Sequence, residues 1–219
     1  MTIDNDDLMN SVIASLGRID TISLDEMPNI DLYMDQLTTF MDERLKKTTR
    51  HPDTDKILTK TMINNYAKND LLPPPIRKKY SKDHLILLIF IYYLKSILSI
   101  NDIQTLLEPL KERFHVSDDQ LNLKRIYETA YELQNEELEP VIEDLKKKYA
   151  RALETFDDKD LSEEEKKRMQ LFSFITLLSY DVYVKKLLIE KMLDNITEAQ
   201  DKDKGKGKGK EKAKPKDKG

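Results

Sequence analysis

Apolar residues recur every three or four positions along most of this chain, and that spacing predicts a helical protein. A first amphipathic helix is expected over residues 7–19, where Leu8, Val12, Ile13, Leu16 and Ile19 share one face. After Pro28 the pattern returns over 30–45, with Leu32, Tyr33, Leu37, Phe40, Met41 and Leu45 apolar and Lys46 and Lys47 at the negative end of the helix dipole. Residues 48–55 contain Pro52 and turn-forming Asp and Thr, which predicts a loop. Thr59 is placed to cap a short helix over 60–69 whose buried stripe is Met62, Ile63 and Tyr66.

Pro73, Pro74 and Pro75 end that helix, since three prolines in a row neither donate to a helical ladder nor continue one. Residues 76–80, IRKKY, are too short for a helix and are expected as a small hairpin or extended wing. Ser81 opens a strongly apolar helix over 82–98, and Ser99 or Asn101 caps another over 102–110. Helical spacing continues over 117–156, where Pro140 is expected to divide the helix or bend it. Ser162 and the glutamates after it start a last long helix running through Met192. From residue 201 the chain holds four of its five glycines and no large apolar side chain, so disorder is expected there. The organisation this predicts is an N-terminal helix in 1–29, a compact unit in 30–116, a helical region for dimerisation or effector binding in 117–200, and a disordered Lys/Gly-rich tail in 201–219.

Composition removes several classes of function. With no cysteine there is no disulfide framework, thiolate metal site or cysteine nucleophile, and a reducing, cytoplasmic location is expected. The acidic N-terminus lacks the basic start and apolar run of a signal peptide. The longest apolar run, Leu85 to Leu94, is ten residues against the roughly 20 a spanning helix needs, so no membrane partner is expected. His51, His84 and His115 lack ligand spacing, so neither a metal nor a cofactor is expected. The acidic runs at Glu136, Glu137, Glu139 and at Glu163, Glu164, Glu165 point to different sides of a helix and read as solvated faces. Without a Gly-rich phosphate loop, a Ser-His-Asp order or a metalloprotease motif, the chain is not expected to be an enzyme.

Charge changes the picture most. The overall −4 conceals blocks of −7 over 1–55, +5 over 56–116, −7 over 117–200 and +5 over 201–219. Affinity for DNA comes from local Lys and Arg that displace counterions from phosphates, so contact is expected in the basic middle block. There Lys60, Thr61, Asn64, Asn65 and Lys68 form the polar face of the 60–69 helix, and Arg77, Lys78, Lys79 and Lys82 cluster around the wing. An Asn amide both donates and accepts, which suits adenine in the major groove, so Asn64 and Asn65 are the base-reading candidates.

The segment TMINNYAKNDLLPPPIRKKYSKDHLILLIFIYYLKSILSINDIQTLL resembles the MerR-family pattern of a recognition helix with a Tyr, a Leu-Leu-Pro exit, a wing ending in Tyr-Ser, an apolar helix and a closing Ile-Leu-Leu helix. On that resemblance Tyr66 takes the helix tyrosine, Leu71, Leu72 and Pro73 the exit, and Tyr80 and Ser81 the wing-to-helix junction, while Ile103 and Leu107 match the closing helix. Tyr66 and Tyr80 therefore join the candidate DNA-binding residues. The chain departs from the pattern at Asn64 and Asn65, where many members have Arg and Tyr, at Asp70 in place of the turn glycine, and in the long loop over 48–58. The stretch from Ile30 also resembles a bacterial family known only as a domain of unknown function, through LYMDQLTTFMD and TKTMINNYAKNDLLPPP. The fold implied is all-α: a MerR-like winged helix-turn-helix with a small wing, plus a helical C-terminal region. The function implied is a sequence-specific transcription regulator that binds double-stranded DNA as a homodimer, with a small-molecule or protein effector as a further partner. The alternative is a helical protein-interaction or scaffold module that does not bind DNA.

Overall fold

The computed structural model describes residues 5–16, 22–116, 121–157 and 160–211. Helix α1 (Asn5–Leu16) comes first, and a two-residue strand, β1 (Leu32–Tyr33), then runs straight into α2 (Met34–Leu45). A long loop leads to α3 (Lys60–Lys68), which is followed by strand β2 (Lys79–Tyr80) and helices α4 (Lys82–Leu94), α5 (Ile100–Lys111), α6 (Leu123–Leu153) and α7 (Glu163–Glu211). The strands pair antiparallel, Leu32 opposite Tyr80 and Tyr33 opposite Lys79, which pins the start of α2 beside the start of α4.

The main core forms around α4 because that helix has no polar side to turn outward. Leu85, Ile86, Leu87 and Leu88 are all at 0% exposure, and α5, α6 and β2 pack around the helix. Leu37, Met41 and Leu45 of α2, Ile63 and Tyr66 of α3, and Ile103 and Leu107 of α5 close the cluster. It also draws on residues outside 30–116: Ile22 and Met27 before, Leu123 and Tyr127 after. The Tyr127 hydroxyl donates to the Ile22 carbonyl at 2.5 Å, so one buried bond joins both ends of this unit. Burial pushes that phenol's pKa up.

Helices α6 and α7 form an antiparallel pair. Tyr149 meets Phe174 edge-on at 5.3 Å, Gln170 Nε2 donates to the Leu153 carbonyl at 2.7 Å, and Lys148 pairs with Asp181 at 2.6 Å. Met9 of α1 packs on the same spot, against Ala152 and Phe174. Farther along, α7 lies on α5 and inserts Leu193 into the main core. Between these two anchorages its sides are bare: Tyr180, Val182, Tyr183, Val184, Leu187 and Leu188 are all exposed.

Several elements differ from the sequence expectation. Leu32 and Tyr33 are strand, because pairing with β2 satisfies backbone groups that the first turn of a helix would leave open. Pro140 does not divide α6; it is exposed, in a helix held by Tyr127 on one side and Ile142 on the other. Helix α4 stops at Leu94, before a turn, and Ser99, with its hydroxyl accepting from Asp102 N–H at 3.2 Å, is the cap of α5. Residues 201–211, where disorder is expected, continue α7 as far as Glu211. Residues 212–219 of the tail lie outside the described residues, as do 17–19 of the expected first helix. No helix among the described residues is long and apolar enough to cross a membrane.

Candidate nucleic-acid interface

Helix α3 is short and depends on its cap and its floor. The Thr59 hydroxyl accepts the Met62 N–H at 3.2 Å, satisfying an orphan donor of the first turn. Ile63 and Tyr66 are buried and Met62 packs half-buried on the core. The opposite face presents Lys60, Thr61, Asn64, Asn65 and Lys68, all exposed. Lys60 ion-pairs with Asp35 in the first turn of α2. Both side chains are solvated, so that pair contributes little and yields readily to a stronger anion.

Asp70 ends α3 at φ 54, a left-handed conformation that favours glycine. Lys111 of α5 supplies the compensation: its ammonium donates to the Asp70 carbonyl at 2.8 Å and to the Asp70 carboxylate at 3.0 Å. It also pairs with Glu108 at 2.7 Å. Burial opposes the charge on Lys111, but the bonds to Glu108 and Asp70 outweigh it and hold its pKa above the ordinary lysine value. The Leu71 and Leu72 N–H groups return to the Tyr66 carbonyl at 2.9 and 3.2 Å, which turns both leucines into the core.

Beyond the prolines the chain makes a two-residue hairpin. Ile76 and Lys79 exchange backbone bonds of 3.1 and 2.9 Å, and Arg77 and Lys78 occupy the tip at φ 50 and 65. Two successive left-handed residues are the type I′ turn that suits strand twist, a geometry normally given to Asn-Gly. Here both tip side chains are exposed cations. Lys79 stands over the Tyr33 ring at 5.1 Å.

The eleven candidate residues therefore divide. Lys60, Thr61, Asn64, Asn65 and Lys68 share one exposed face, and Arg77 and Lys78 share the hairpin tip. Tyr66 and Tyr80, at 9% and 3% exposure, belong to the core and are corrected to supporting residues, since neither ring has surface to offer a ligand. Lys82 turns inward, donating to the Leu24 carbonyl at 3.1 Å and to Asn29 Oδ1 at 2.8 Å.

Sequence reasoning missed the role of His84, which is fully buried. Its Nδ1 accepts the Ser81 N–H at 3.0 Å, as a glutamate does in a capping box, and Nε2 faces the Pro74 carbonyl at 3.4 Å. Tyr80 and Phe114 meet its ring edge-on at 5.2 and 4.7 Å. The available signal was a capping serine followed three residues later by a group able to accept. Burial holds the imidazole pKa below its ordinary 6.5, so the fold keeps the neutral ring. As pH falls the unfolded chain takes the proton first; stability should be complete above about pH 6.5 and be lost as pH drops below it toward the folded-state value. Urea unfolding at about pH 7.5 and about pH 5 checks this, with His84→Gln keeping the acceptor but removing the titration. Parallel losses in both proteins would exclude His84 as the source.

Among the described residues there is no group of three or more His, Cys, Asp or Glu able to hold a metal ion. No curated protein and no solved structure matches the chain. A family match covers the main core, the face of α3 and the hairpin: residues 22–130 match DUF1836, a domain of unknown function.

Proposed function

We propose that the chain is a sequence-specific DNA-binding transcription regulator in which α2, α3 and the hairpin act as a MerR-like winged helix-turn-helix. The carrying observation is the polar face of α3, seated on a buried apolar stripe and followed by a hairpin whose two tip residues are cations. In this reading α3 enters the major groove, Asn64 and Asn65 meet base edges, and Lys60, Lys68, Arg77 and Lys78 hold phosphates. Its chemistry is recognition with no covalent step, carried out in the cytoplasm.

The reading includes a homodimer built along α7. Met169, Phe172, Thr176, Tyr180, Tyr183 and Leu187 follow one another by three or four residues, and all six are exposed. Exposed apolar side chains continue through Leu188, Met192 and Ile196. Monomers seldom leave so long a run of apolar side chains in water. The same run is what favours the alternative, a scaffold module that binds another protein and no DNA.

Titration of genomic DNA fragments at two salt concentrations tests the reading. Specific binding with a steep salt dependence is expected, and absence of sequence preference at low salt would sink it. Asn64→Ala should cost about 1–3 kcal/mol on the preferred site and relax base preference. Lys78→Ala should weaken all sequences alike and flatten the salt slope by about one unit. If the two variants behave identically, the division into reading and anchoring residues is wrong.

A further inference from the structure

The loop between α2 and α3 is longer than the about three or four residues that the turn of a compact helix-turn-helix needs. Loops that exceed what their helices need are commonly functional. This one is folded: the Thr54 and Asp55 N–H groups donate to the His51 carbonyl at 3.0 and 2.8 Å, and His51 N–H donates to Asp55 Oδ2 at 2.9 Å. It forms one wall of a cleft of about 560 Å³ whose other wall is the C-terminal end of α4. That volume falls within the roughly 300–1,000 Å³ of small-molecule sites.

The lining has a consistent chemistry. Arg50, Lys56 and Lys95 supply three cations against the single carboxylate of Asp55, which already accepts from His51. Tyr92 and Tyr93, in edge contact at 5.3 Å, give the cleft an aromatic side. Lys95 is half-buried, donates to the Ile57 carbonyl at 2.9 Å and stands over the Tyr92 ring at 4.9 Å. It has no carboxylate within ion-pair distance among the described residues. Burial accordingly lowers its pKa. Arg50 is exposed at the cleft and pairs with no carboxylate among the described residues. A partly desolvated cation beside aromatic rings, with no carboxylate in ion-pair distance among the described residues, suits an anion that has an apolar body.

We propose that this cleft is a binding site for a small aryl anion, a carboxylate or phosphate on a flat ring, with its charge on Arg50 and Lys95 and its ring against Tyr92 and Tyr93. The loop runs from Lys56 at the site through Ile57 and Leu58 into Thr59, the cap of α3.

Phenyl phosphate titrated calorimetrically into the full chain, without DNA, tests the site independently of the DNA reading. Saturable binding in the sub-millimolar range is expected. Inorganic phosphate and benzyl alcohol each keep one half of the ligand and should bind at least about tenfold more weakly. Lys95→Met keeps the aliphatic stem but removes the anchor on Ile57, so Arg50→Gln, which breaks no described contact, is the second variant. Each should weaken phenyl phosphate about tenfold or more. The proposal is overturned by no saturable binding up to about 10 mM, by inorganic phosphate binding as tightly as phenyl phosphate, or by unchanged affinity in Arg50→Gln.

Discussion

Leu88→Ala should lower the free energy of unfolding by about 2–5 kcal/mol, read as a fall in the urea midpoint with an unchanged slope. Leu88 has no exposed surface and is the last of four successive apolar residues with none, so truncation removes apolar contact and leaves a cavity. Leu133→Ala is the control: Leu133 is 60% exposed on α6, and its loss should lie within about 0.5 kcal/mol of zero. A Leu88→Ala loss below about 1 kcal/mol would mean that α4 is not the centre of the core.

Replacing Tyr180 and Tyr183 together by Glu should turn a dimer into a monomer while leaving the fold intact. Both side chains are more than 60% exposed in the single chain, so the carboxylates stay in water there; in the proposed dimer they would be buried facing their own copies. Sedimentation equilibrium should give twice 25.7 kDa for the parent protein and 25.7 kDa for the variant. Losing the paired half-site contact should weaken specific DNA binding by about 100-fold or more. A parent protein that is monomeric at tens of micromolar, or a variant that still dimerises, would remove α7 as the interface.

Much of the unit around α3 and the hairpin was legible from residue types that act locally. Thr59 and Ser81 announced two helix starts and Ser99, one of two candidates with Asn101, the third, while the three prolines together with IRKKY announced a hairpin or extended wing. The exposed face of α3 followed from periodicity, because Met62, Ile63 and Tyr66 leave only one side for Lys60, Asn64 and Lys68. Features set by distant partners were not legible. Two strand residues at Leu32 and Tyr33 depend on β2 nearly fifty positions away. Ile22 and Met27 were grouped with the N-terminal helix region, outside the compact unit, because their partners lie beyond residue 30. The inward turn of Lys82 depends on a carbonyl at Leu24 that charge counting cannot see. Tyr66, which periodicity places on the buried stripe, and Tyr80 joined the DNA-binding candidates only through the MerR resemblance, and both lie in the core.

The hairpin tip bears on how this domain can change over time. Arg77 and Lys78 hold left-handed geometry without glycine's freedom, at a cost of roughly 1–2 kcal/mol per residue. A lineage under pressure for thermal endurance alone would drift toward Asn-Gly at these two positions, keeping the turn and discarding the charge. The identity of this dipeptide among descendants of the same fold is therefore a two-letter record of whether the cationic tip was still being used.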